Sequence, residues 1–187
     1  MLLLNDFEVN TLSENGIKTL YEIFENDFIN NITHLTKGSI SFPIEIKYEQ
    51  KCPCPFGGSQ KPKKFWHVIT RDKKNPKKSS NPCLDAKEKK RAYDKARAKR
   101  IHWIKILIDT WQTDSNLDYF YQQRGNNEDN LIIWHQDKKF LVVIRRIGSN
   151  SDRYLVSSFV IHDKEKHRYT KQLKEYEDNK PIGIEWF

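Results

Sequence analysis

The chain is short of cysteine and methionine, with three Cys and one Met in 187 residues. A small, odd cysteine count excludes a disulfide-stapled scaffold and suits a reducing compartment. No run approaches the ~20 apolar residues that span a bilayer. The opening Met1-Leu2-Leu3-Leu4 is stopped at Asn5 and Asp6. It has no basic n-region, which argues against a signal peptide. The expectation is a cytoplasmic protein without a membrane partner. Collagen and coiled-coil periodicities are missing too. Aromatics, in contrast, are plentiful: five Trp, eight Tyr and ten Phe. They supply a packed core and exclude wholesale disorder. The length fits a single domain over residues 1–187.

Acidic side chains are scarce in one place. Residues 61–105 hold 17 basic and 4 acidic groups, net +13. Residues 1–60 are net −4 and residues 106–187 net −1, so this segment exceeds the whole formal charge of +8. A basic block of that density points to a polyanion, with nucleic acid before an anionic membrane. The plainer alternative is a solvated, solubilising surface. A membrane helix needs a broad apolar face. Ala86, Ala92, Tyr93, Ala96 and Ala98 give too little for one.

Hydrophobic spacing divides the chain into four parts. In the first part, 1–60, Ile17, Leu20, Tyr21, Phe24, Phe28 and Ile32 recur at helical steps, predicting a helix over 13–35. Alternation over Ile40, Phe42, Ile44, Ile46 and Tyr48 predicts a strand over 40–50, with Pro43 placing it at an edge or bulge. In the basic part, 61–105, residues 65–71 read as strand-like. A long helix is expected over 85–110, and a short one over 116–124. Residues 129–162 hold three β-rich runs, 130–135, 139–147 and 153–162, separated by turn-like gaps. These predict an antiparallel meander. The last part, 163–187, reads as a charged helix over 163–178 and an extended tail. The expected class is α+β, with N-terminal helices packed on a small antiparallel sheet.

Alternation also sorts the late polar residues. Tyr154, Val156, Ser158 and Val160 would share one sheet face, and Leu155, Ser157, Phe159 and Ile161 the other. One of the two serines would then face the core and the other a groove or solvent. Arg145 and Arg146 would point to opposite faces.

His67 follows Lys61, Lys63 and Lys64 and precedes Arg71 by four residues. Metal-free cleavage of RNA needs a base for the 2′-OH, an acid for the leaving 5′-oxygen and cations on the phosphorane. Histidine suits either proton role and arginine the third. The ordinary alternative is a half-buried structural histidine. Phe65, Trp66 and Trp103, interleaved with cations, suit base stacking on single-stranded RNA, although aromatic stripes more often build cores. Lys63, Lys64, Lys90, Arg91, Arg97 and His102 are the expected nucleic-acid contacts.

The order Phe65-Trp66-His67-Val68-Ile69-Thr70-Arg71, Arg97-x-x-Arg100-Ile101-x-Trp103-Ile104, Phe140-Leu141-Val142-Val143-Ile144 and Tyr154-Leu155-Val156-Ser157-Ser158-Phe159 resembles the phage-associated branch of the barnase–EndoU–colicin–RelE-like nucleases. That resemblance covers roughly residues 65–162. It implies a metal-independent endoribonuclease of toxin or phage-effector type, with helices on a four-stranded antiparallel sheet. It further implies a site of His67, Arg100 and Ser157 or Ser158, to which the basic context adds Arg71. Ser stands here for the family's usual Thr, and Phe159 for its following Tyr. Such a protein would need no cofactor, and a cognate inhibitor protein would be a natural partner. The competing expectations are a non-catalytic nucleic-acid-binding protein and a basic factor that inhibits a nucleic-acid enzyme. A separate possibility is a zinc site of Cys52, Cys54, His67 and Cys83. It conflicts with the nuclease role, because a ligating imidazole is not a free base.

Overall fold

A computed structural model describes residues 4–8, 13–46, 51–52, 61–72, 91–125, 128–148, 152–179 and 186. The class is α+β, with helices early in the chain and a meander late in it. In chain order the elements are α1 (Glu14–Glu25), a π-helical turn (Asn26–Asn30), β1 (His34–Lys37), β2 (Ile40–Glu45), β3 (Lys51–Cys52), β4 (Lys61–Pro62), α2 (Lys63–Ile69), β5 (Thr70–Asp72), β6 (Arg91–Tyr93), α3 (Lys95–Ala98), α4 (Trp103–Thr110), β7 (Leu117–Gly125), β8 (Glu128–His135), β9 (Phe140–Ile147), β10 (Arg153–Val160) and α5 (Asp163–Asp178). They group into two compact units. The helical unit comprises residues 2–32 and 46–103, and the sheet unit residues 33–45 and 104–187, together with Met1. Among the described residues no helix is long and apolar enough to cross a membrane.

In the helical unit, Ser13 caps α1 by accepting from Gly16 N at 3.1 Å. Ile17, Leu20, Phe24 and Phe28 form its buried stripe. The helix stops earlier than its expected end at residue 35. Asn31 N donates to Asn26 O, five residues back, and the Asn31 amide donates to Asn26 Oδ1 at 2.8 Å. Asparagine competes well for backbone groups, which favours such an ending. Ile32 consequently falls outside the stripe and is exposed.

Of residues 65–71, expected as strand-like, 65–69 lie in α2 and 70–71 in strand β5. The buried set Phe65, Trp66, Val68 and Ile69 explains the difference. Positions i, i+1, i+3 and i+4 share a helical face, whereas a strand would bury alternate residues. Phe65 packs edge-on against Tyr21, Phe24 and Trp66, with centroids 5.1–5.7 Å apart. Thr70 Oγ1 then donates to Trp66 O at 2.6 Å, and β5 leaves to pair with β6.

The long helix expected over 85–110 is also not formed. Residues 91–93 are strand β6, and Asp94 restarts the chain as a helix. Its carboxylate accepts from Ala96 N and Arg97 N at 3.1 and 3.2 Å. A capping aspartate fixes a helix start, so a helix cannot run through it unchanged. The turn at 99–102 then separates α3 from α4 through three-residue bonds such as Arg100 N to Arg97 O.

The sheet unit holds six strands in the order β1-β2-β10-β9-β8-β7. The expected meander occupies β8, β9 and β10, antiparallel throughout. The sheet is larger than expected, because two elements join it. The segment 117–125 is strand β7 rather than a helix. Tyr119, Phe120 and Tyr121 favour a pleated surface, and pairing along β8 satisfies the backbone. The hairpin β1–β2 turns at Gly38, whose φ of +57° glycine tolerates. Its second strand docks parallel to β10 at Ile44 and Glu45, just beyond Pro43, which has no N–H to give.

Helix α5 covers one face of this sheet. Leu173, with Tyr169 and Tyr176, packs on Phe120, Ile132, Trp134, Leu141, Val143 and Ile161. Leu141 is fully buried, so Leu141→Ala should cost about 2–5 kcal/mol in urea denaturation. Ile40, largely exposed, should tolerate alanine to within about 0.5 kcal/mol. Equal losses at the two positions would contradict this core assignment.

Candidate nucleic-acid interface

The described part of the basic segment lies on β4, α2, β5, β6, α3, the turn that follows and the first residues of α4, and up to Trp103 it belongs to the helical unit. Lys63 is exposed, and Lys64 and His67 are half-buried on α2. Because the helix turns its buried stripe inward, His67 sits off that stripe. Arg71 extends from β5 with its side chain more than half exposed.

Asp94 gathers two of the arginines. Its carboxylate lies 4.0 Å from Arg71 Nε and 3.6 Å from Arg97 Nε. Arg97 also donates from Nη1 to Thr70 O at 2.8 Å and to His67 O at 3.4 Å. A guanidinium at the carbonyl end of α2 favourably meets its dipole. Arg97 thus fastens α3 to α2, and it was expected only as a nucleic-acid contact.

The turn after α3 presents Lys99, Arg100 and His102, and an acidic segment lies along it. Lys99 Nζ pairs with Glu8 at 3.0 Å, and Arg100 Nε with Asp6 at 3.0 Å. Phe7 N donates to Lys99 O at 2.7 Å. The Asn5 carbonyl accepts from His102 Nε2 at 2.9 Å and from Trp103 Nε1 at 3.0 Å. The Arg100 guanidinium rests 4.8 Å over the Trp103 ring. Burial pulls the His102 imidazole below its ordinary range, against the Asn5 bond and the nearby Asp27 and Asp6. Sequence patterning did not single out Asn5, Asp6, Glu8 or Lys99. The only hint was the acidic excess of residues 1–60.

The other expected residues lie elsewhere. Ser157 and Ser158 belong to β10, in the sheet unit, and both are buried, at 8% and 0% exposure. The expectation that one would face a groove or solvent is overturned. The cause is that both faces of the sheet are covered here, with Leu141 and Val143 buried on one and Phe140, Val142 and Ile144 on the other. A β-bulge at Val156 also resets the alternation before the serines: Leu155 pairs with Ile144, yet Ser157 pairs with Val143. The extra residue shifts the alternation, so Ser157 joins Tyr154 on the α5 face and Ser158 joins Leu155 on the other. The Ser158 hydroxyl finds no hydrogen-bond partner among the described residues. Arg145 and Arg146 do point to opposite faces, Arg145 toward Glu128 and Asn130 and Arg146 toward Asp129.

Arg91 lies on β6, but its side chain, Lys90, Cys54 and Cys83 lie outside the described residues, as does the Cys52 side chain. Of the four zinc candidates only His67 can be placed in full. Among the described residues no group of three or more His, Cys, Asp or Glu could hold a metal ion.

A second polar cluster in the sheet unit was not expected. Arg153, 2% exposed, lies over Phe42 and Trp186 at 4.3 and 5.0 Å and donates to Trp186 O. Burial and the neighbouring Arg146 push its guanidinium down to about 10. Arg146 pairs with Asp129 at 2.7 Å, and Tyr121 stacks on Trp186 with its phenol raised by burial. This cluster fastens Trp186 to the sheet.

No protein-family model matches the chain, and no curated protein and no solved structure is significantly similar to it.

His135, buried at the end of β8, is also held below the ordinary imidazole range by burial, with Asp114 nearby opposing. His102 and His135 thus stay neutral in the folded chain at pH values where an unfolded histidine, near 6.5, takes up a proton. Stability should fall as pH drops through about 6.5, because the unfolded chain then binds more protons. Thermal melts between about pH 7.5 and 5.5 should show a falling Tm. His135→Gln should flatten the slope, and an unchanged slope would contradict this assignment.

Proposed function

We propose that the protein binds RNA through the basic face of its helical unit. The carrying observation is that much of the described part of a +13 segment folds into adjoining short elements, α2, β5 and α3, with Lys63, Lys64, Arg71 and Lys95 on them and Lys99 and Arg100 in the turn after α3. Short elements that change direction present cations along a curved path, which suits a flexible single strand. Arg71 retains most of its exposure despite Asp94. Its planar fork can still accept a phosphate.

A second reading is the metal-independent endoribonuclease that the nuclease resemblance implies. It is favoured by the placement of His67, half-buried while Phe65, Trp66, Val68 and Ile69 beside it are buried. In that reaction the ribose 2′-oxygen attacks phosphorus and the 5′-oxygen leaves. The products are a 2′,3′-cyclic phosphate and a free 5′-hydroxyl. His67 would move the proton at one of those oxygens, and Arg71 and Arg100 would neutralise the phosphorane. The buried Ser157 and Ser158 hydroxyls give this reading no support. A cytoplasmic effector of toxin or phage type, held by an inhibitor protein, is the setting it implies. A basic factor that captures a nucleic-acid enzyme is the remaining alternative. Capture that survives nuclease treatment would favour it.

Binding and cleavage separate in one pair of measurements. Affinity for a labelled single-stranded RNA should fall with salt at a log–log slope of about −0.7 per phosphate neutralised. Arg71→Ala should reduce the magnitude of that slope by about the same amount. RNA incubated in EDTA should remain intact if the protein only binds. Cyclic-phosphate ends that vanish in His67→Ala would establish the nuclease instead. Failure to bind RNA at low salt would overturn both.

A further inference from the structure

We propose that residues 5–8 are a strand-mimicking strap seated in a phosphate-backbone subsite built by Lys99, Arg100, His102 and Trp103. The inference rests on the RNA-binding reading and specifies where on that face a phosphodiester sits. The geometry is that of an occupied anion site. The Asp6 carboxylate meets the Arg100 guanidinium at 3.0 Å, and the Glu8 carboxylate meets the Lys99 ammonium at 3.0 Å. Between them the chain runs along the turn, held by Phe7 N on Lys99 O. Ahead of them one carbonyl oxygen, that of Asn5, takes two ring N–H donors, His102 Nε2 and Trp103 Nε1.

Two carboxylates two residues apart, plus an oxygen gripped by two N–H groups, reproduce the features of a short phosphodiester run. Such a run carries negative charges at regular intervals and oxygens that accept several bonds at once. Asp6 and Glu8 occur in a part of the chain with an acidic excess, and they face the part with the basic excess. The ion pairs are open on the acidic side: Glu8 is 73% exposed and Asp6 36%, while the Lys99 and Arg100 side chains behind them are 18% and 20% exposed. Pairs with one solvated partner are screened by salt, so a polyanion that displaces the carboxylates can compete for the same cations. When RNA arrives, its phosphates take the places of the two carboxylates, and a phosphate oxygen takes that of the Asn5 carbonyl.

The test uses the full chain and a labelled 20-nucleotide single-stranded RNA, with a DNA of the same sequence in parallel. Asp6→Asn with Glu8→Gln keeps shape and removes charge. It should tighten RNA binding about tenfold and steepen the salt slope by about one to two units. Arg100→Ala combined with Lys99→Ala should weaken binding and erase the gain from the acidic pair. A lower Tm in the Asp6→Asn, Glu8→Gln variant with RNA affinity unchanged would mean the strap is structural only, and would overturn the inference while RNA binding stands. Equal gains on RNA and DNA would support the subsite as one for the phosphate backbone. No binding by any variant would instead remove the RNA-binding reading, and this inference with it.

Discussion

Strands β8 and β9 are buried on both faces along most of their length, and the polar groups they carry must therefore find partners inside the protein. A buried group without one costs about 1–3 kcal/mol, and more when charged. The sheet meets this demand across neighbouring strands. Asp129 lies opposite Arg146 and pairs with it at 2.7 Å, while Asn130 lies opposite Arg145 and accepts from it at 3.1 Å. Adjacent positions serve opposite faces, so one end of the hairpin is closed with charge on both sides. Arg153 extends the same logic: its guanidinium is covered by two aromatic rings and bonded to the Trp186 carbonyl. Such groups are fixed by the cost of undoing them, and they are poor candidates for ligand exchange.

The helical unit uses its charges differently. Net charge counts every cation as available for a partner, yet several are already engaged. Arg97 holds backbone carbonyls of α2 and β5, a structural task. Lys99 and Arg100 face carboxylates that retain solvent contact. The difference matters for function. A cation bonded to buried backbone is costly to recruit, whereas a cation in an exposed ion pair can change partner at little expense. The cations of this face thus differ in their ties: Arg97 is bonded to backbone, while Arg71, Lys99 and Arg100 are paired with carboxylates.

The legible parts of this fold were those set by local periodicity. The meander was readable because apolar residues crowd β8, β9 and β10 between short turns. Helix α5 was readable as a charged run over 163–178, whereas the Tyr169, Leu173 and Tyr176 stripe that packs it on the sheet was not singled out. Elements decided by one residue or by distant pairing were not. Asp94 breaks what periodicity presents as a continuous helix. Strand β7 exists because β8 offers it a ladder. The bulge at Val156 leaves no local mark, yet it puts Ser157 on the face of Tyr154 and Ser158 on that of Leu155, opposite to simple alternation. The cations of the candidate interface were legible as a block. Their acidic counterparts were not, because Asp6 and Glu8 lie more than 90 residues away from Arg100 and Lys99.

That separation in sequence gives the strap a physical consequence. A tethered segment competes intramolecularly, whatever the concentration of the protein. A single phosphate or mononucleotide offers one or two charges and gains little over two carboxylates already in place. An extended strand gains more, because it releases counterions along every phosphate it lays on the face, including those at Lys63, Lys64 and Arg71. On the proposed reading the strap would raise the threshold for all anions and leave long polyanions best able to cross it. Selectivity for chain length would then follow from competition with an internal acid segment and require no contact that reads a base.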